Sequence, residues 1–124
     1  MKRLGLLLLI SFFIAFATFG CTAADKSTLK MRDAVDAARQ GDMVKYKALV
    51  TEAHNLNPND VFVINNMGAV YEMDNNKAEA IAHYKECVDK AGDLKVAKGG
   101  DPAWEGKPLK DLCAANLKRV QQSK

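Results

Sequence analysis

INNMGAVYEMDNNKAEAIAHYKECV, residues 64–88, carries the pattern that decides the fold. Apolar residues recur at helical spacing up to Met73, a polar run of Asp74, Asn75 and Asn76 follows, and helical spacing resumes from Ala80. The order is helix, turn, helix. Gly68 and Ala80 are small where two crossing helices meet, and the larger Tyr71 and Tyr84 fill the space between those contacts. Upstream, Asn57-Pro58-Asn59-Asp60 reads as a turn that ends in a helix N-cap. The run Val61-Phe62-Val63-Ile64 has the composition of a strand. Apolar residues nevertheless continue at 61, 64, 67, 68 and 71, so the spacing predicts a helix. β-branched residues are sparse and no run alternates polar with apolar, which makes the predicted class all-α.

The same rhythm occurs twice. Gly41-Asp42 and Asn75-Asn76 fall at equivalent turns, and Val50, Glu52 and Ala53 align with Tyr84, Glu86 and Cys87, an offset of 34 residues (84 minus 50). Residues 61–94 resemble a tetratricopeptide repeat, whose signature positions are filled by Ile64, Met67, Gly68, Tyr71, Ala80, Tyr84 and Cys87. Residues 27–60 are a more degenerate copy. Ala34 stands at its glycine position, Ala37 where an aromatic is usual and Tyr46 where a small residue is expected, but its second half ends in the expected Pro58. The resemblance implies a short α-solenoid of two repeats. Each repeat buries its apolar face only against a neighbour, so a third element is needed. Residues 108–122 supply one. Pro108 is read as a first-turn proline, and Leu109, Leu112, Cys113, Leu117 and Val120 form one stripe with Lys110, Asp111, Lys118 and Arg119 off it. Between repeat and cap lies a Gly- and Lys-rich linker over 95–107, in which Trp104 is expected to pack back as an apolar anchor.

The N-terminus has a different character. Met1-Lys2-Arg3 is basic, and Leu4 through Gly20 is uncharged and mostly apolar, the layout of an export signal over residues 1–20. The run is short for a membrane span, which needs ~20 apolar residues, although an uncleaved anchor is the alternative. Gly20-Cys21 resembles the end of the lipobox of bacterial lipoproteins. That resemblance implies a lipidated Cys21 as mature N-terminus and, with Thr22 after it, an outer-membrane destination. The competing cut after Ala15-Phe16-Ala17 would start the chain at Thr18 and leave Cys21 an odd free thiol. Residues 21–27 then read as a polar tether and 28–122 as the helical domain.

With Cys21 lipidated, Cys87 and Cys113 form an even pair in an oxidising compartment and are expected to be disulfide-bonded, with two buried free thiols as the alternative. The full chain has 18 basic and 15 acidic residues; without Lys2 and Arg3 the balance is 16 to 15. Charges are mixed and no nucleic-acid surface is indicated. His54 and His83 read as surface helix residues, no zinc or phosphate-loop motif is met, and neither an enzyme nor a cofactor is expected.

The family likeness implies a concave groove lined by the first helix of each repeat. It maps to Met31, Arg32, Val35 and Arg39 in the first repeat and to Phe62, Asn65, Asn66, Ala69, Glu72 and Met73 in the second. An Asn pair flanked by Phe and Met would hold a peptide by amide hydrogen bonds and adaptable apolar contact. The function expected is that of a membrane-tethered protein-interaction module (adaptor or assembly factor) of the bacterial envelope, with a protein or peptide partner. The alternatives are a self-associating structural envelope lipoprotein, a secreted soluble module, and a thiol-redox protein using Cys87 and Cys113.

Overall fold

The computed structural model describes residues 20–97 and 101–124. Among the described residues five helices follow one another: α1 (Ala23–Arg39), α2 (Met43–Leu56), α3 (Val61–Met73), α4 (Lys77–Lys90) and α5 (Leu109–Gln122). α1 with α2 and α3 with α4 are helical hairpins, and α5 packs on α4. Among the described residues no helix is long and apolar enough to cross a membrane. The apolar leader expected to be a signal lies, but for Gly20, outside them.

The turns of the two hairpins share one backbone pattern. Gly41 and Asn75 both take positive φ, at 77° and 56°. The next residue caps the following helix, Asp42 accepting from the Lys45 amide and Asn76 from the Glu79 amide. Its own amide reaches back five residues, Asp42 N to Ala37 O (2.9 Å) and Asn76 N to Tyr71 O (2.8 Å). A left-handed residue followed by an Asx cap is the shortest way to stop one helix and start the next. The 34-residue spacing is therefore a property of the backbone as well as of side-chain size.

Within each hairpin, large and small side chains exchange places. In the second, Tyr71 of α3 packs with the fully buried Ala80 of α4. In the first, the corresponding positions are Ala37 on α1 and Tyr46 on α2, both buried in one cluster. Tyr46, the residue out of place by type, thus occupies the volume that the missing aromatic at 37 vacates, and summed volume is conserved.

α3 is buried on several sides, which is why it is apolar almost all round. Val63, Met67 and Val70 face the first hairpin. Ile64 joins Cys87, Ala91, Val96, Leu109 and Cys113 under the cap. Gly68 meets Tyr84 so closely that a Cβ there would lie 2.6 Å from Tyr84 Cε1.

Two expectations need correction. The tether expected over 21–27 is helical for most of its length: α1 begins at Ala23, capped by Thr22 in a capping box with Asp25. Ser27 is 0 % exposed and donates from Oγ to the Ala53 carbonyl (2.9 Å), tying α1 to α2. The polar composition that suggests a spacer is that of an N-terminal helical turn, where Thr and Asp satisfy free amides. Pro108 is the N-cap of α5 rather than its first residue, with ψ of 130°.

The linker is pinched at its base. Val96 N donates to Lys107 O, Gly106 N to Val96 O and Leu109 N to Leu94 O, all within 2.8–2.9 Å. Trp104 packs against the cap cluster, with Lys107 Nζ 5.4 Å from its ring centroid. Cys87 and Cys113 are disulfide-bonded with Cα atoms 5.9 Å apart, and both are fully buried.

Two outcomes follow for stability. Gly68→Ala gains ~1 kcal/mol of helix propensity but forces the backbone off the enclosed Tyr84 ring. A net loss of roughly 1–3 kcal/mol in chemical denaturation is expected. Replacing Cys87 and Cys113 together by Ala releases a closed loop worth ~3.5 kcal/mol by chain entropy, and amide exchange in α5 should accelerate before that in α1.

Candidate functional site

A broad groove of about 720 Å³ opens between α1, the start of α2, and α3. Its apolar walls are Val35 and Ala38 of α1, Met43 of α2, and Ala69 and Met73 of α3. Met43 and Met73 are 41 % and 38 % exposed, and so offer flexible thioether side chains to solvent. Tyr46 and Asn66 lie on its floor, Arg39, Glu72 and Arg119 edge it, and Asp101-Pro102 of the linker close one side.

The floor is rigid because its polar atoms are already paired. Tyr46 Oη donates to Asn66 Oδ1 (2.8 Å), and Asn66 Nδ2 donates to the Phe62 carbonyl (2.7 Å). Burial pushes the Tyr46 hydroxyl up to about 12, so it remains a donor throughout the physiological range. At the edge, Glu72 accepts from three directions: Arg119 Nε (3.1 Å), Arg119 Nη2 (2.7 Å) and Tyr84 Oη (2.9 Å). The bidentate guanidinium contact, foremost, holds the Glu72 carboxyl below its ordinary value, while burial works the other way. Tyr84, buried and facing that carboxylate, is raised. The Lys47–Asp74 ion pair fastens α2 to the turn of the second hairpin beside the groove.

Six of the positions expected in the groove line it: Val35, Arg39, Asn66, Ala69, Glu72 and Met73. The other four do not. Met31 packs against the core of the first hairpin, and Arg32 is exposed outside the groove. Phe62 packs into the cluster under α5. Asn65 is buried and accepts from Asn116 Nδ2 of α5 (3.0 Å). The Asn pair therefore does not face a ligand as a unit. Adjacent helical residues point about 100° apart, so one of them turned to the cap and the other to the groove.

Several lining residues escaped sequence reasoning. Met43 and Tyr46 belong to α2, and the tight turn at Gly41 brings the first turn of that helix level with the groove. Arg119 reaches it because α5 supplies a further helix to the array. Its off-stripe position in the sequence was the available signal.

Cys21 is exposed and unbonded two residues before α1, and the described residues beside it, Gly20 and Thr22, are exposed too.

No protein-family model, curated protein or solved structure matches this chain, so the functional reading rests on its own geometry.

The Glu72 hub makes a measurable prediction. A carboxylate whose folded value is lowered contributes fully above its unfolded value, here 4.5, and loses the contribution as pH falls through the lowered one. Arg119→Ala should cost roughly 1 kcal/mol at pH 7, the scale of a partly exposed ion pair with good geometry. The difference from wild type in urea unfolding should shrink toward pH 3.

Proposed function

We propose that this chain is a tetratricopeptide-like interaction module, exported, lipidated on Cys21 and held at the face of a bacterial envelope membrane, where it captures a protein partner in the α1–α3 groove. The observation that carries the reading is the groove itself: an open, apolar channel on a rigid floor, with exposed methionines in its walls. Because the Asn66 and Glu72 side chains are engaged internally, recognition falls to the apolar walls. The partner that fits is an amphipathic segment that inserts apolar side chains between Met43 and Met73.

Lipidation would place two or three acyl chains beside Thr22, and more than one chain makes an anchor stable. Since Thr22 caps α1 directly, the domain would stand on the membrane with no flexible spacer. The buried disulfide favours an oxidising compartment and suits a staple better than an exchanging redox pair.

Intact mass of the protein from its host tests the anchor: the expected product begins at Cys21 with acyl mass, and a product beginning at Thr18 would remove it. For the groove, a photo-cross-linking residue at Met73 should give one discrete protein adduct. Ala69→Arg should abolish that adduct while a label at the 83 %-exposed Val44 yields none. An adduct with a second copy of the chain would select self-association instead.

A further inference from the structure

The chain has two histidines, and folding brings them together although they lie on different hairpins. The rings of His54 on α2 and His83 on α4 have centroids 5.9 Å apart, tilted by 57°. Two imidazoles that each bind one ion through a nitrogen at ~2.0–2.1 Å have centroids roughly 5–6 Å apart at tetrahedral or wider angles. The observed separation falls in that range.

The second observation concerns orientation. His83 Nδ1 lies 2.9 Å from the Glu79 carbonyl oxygen. A carbonyl only accepts, so in the neutral ring the proton sits on Nδ1 and the Nε2 lone pair is free. A backbone acceptor behind the distal nitrogen is how metal-binding imidazoles are oriented. Tyr71 packs on the same ring at 4.9 Å, which limits its rotation. Both histidines are half-buried, outside the groove.

The local charge suits a cation. Burial first, and then the neighbouring His83, hold the His54 imidazole below its ordinary value, while Glu86, one turn along α4 from His83, works the other way. The Glu79 carboxylate lies 4.0 Å from His83 Nδ1. Among the described residues no three His, Cys, Asp or Glu side chains are grouped to hold a metal. A closed structural zinc centre is thereby set aside, and the remaining positions on an ion would fall to water.

We infer that His54 and His83 form a two-imidazole site for a borderline divalent cation, Cu²⁺ before Zn²⁺ by the usual order of affinities, and that the bound ion pins α2 to α4 across the hairpin boundary. This surface is independent of the groove and of the lipid, and its test does not depend on either.

The test is a Cu²⁺ titration of the metal-free protein with the Cys21 thiol alkylated, read by calorimetry and electron paramagnetic resonance. One equivalent should bind with splitting from two imidazole nitrogens. His54→Gln and His83→Gln should each weaken binding at least about tenfold, because each removes the chelate, and Zn²⁺ should raise the melting temperature of the wild type only. Far-UV circular dichroism checks both variants, and His54→Gln decides alone if His83→Gln unfolds. Wild-type affinity in a folded variant, or copper held by a single nitrogen or by the N-terminal amine, would overturn the site.

Discussion

The contact between Gly68 and Tyr84 is the constraint on which the rest of the structure depends. Without a Cβ at 68, α3 and α4 approach until the tyrosine ring lies directly on the α3 backbone. That closeness places the Tyr84 hydroxyl on Glu72, and Glu72 in turn receives the Arg119 guanidinium of α5. A single missing methyl group is thereby linked to the seating of the terminal helix. The ring is fully buried and its hydroxyl paired, so the aromatic supplies apolar contact without leaving a donor unsatisfied.

Around that crossing, α5 is held by three chemically distinct means. Its apolar stripe covers Ile64 and Cys87, the disulfide locks its first turns to α4, and two side-chain contacts join it to α3, Asn116 to Asn65 and Arg119 to Glu72. The burial is non-directional, whereas the polar contacts fix how far the helix is rotated. As a result α5 covers the second hairpin and also contributes Arg119 to the groove edge. The first hairpin reaches the same geometry with its volumes exchanged, Tyr46 for Ala80 and Ala37 for Tyr71. Its larger residue then gains a use, since the Tyr46 hydroxyl braces the groove floor through Asn66.

The proposed capture of an apolar segment follows from how completely the polar side chains of the floor are consumed. Groups paired inside the fold give rigidity and little affinity, because a ligand would have to break them. Exposed methionines adapt their shape at small cost, and a rigid floor beneath flexible walls suits a partner defined by apolar surface. Outside the groove, the contact between hairpins brings His54 and His83 together, and the proposed cation site rests on that meeting.

Local and periodic features can be read from the order of residues alone. The all-helical class, the helix–turn–helix order, the paired turns at 41 and 75, the Asp60 cap, the apolar stripe of α5 and the pairing of Cys87 with Cys113 were legible, because each depends on residues a few positions apart or on parity and burial. The tether expected over 21–27 is replaced from Thr22 onward by the capped start of α1, because a capping box and a polar tether share a composition. The tertiary structure alone decided which way Asn65 and Asn66 face, that Phe62 serves the cap and not the groove, that Met43, Tyr46 and Arg119 complete the groove, and that two histidines 29 residues apart (83 minus 54) lie side by side. Those outcomes depend on helix rotation and on the neighbour each face meets. A shift of one residue turns a helix face by about 100°, a choice settled by packing against distant segments.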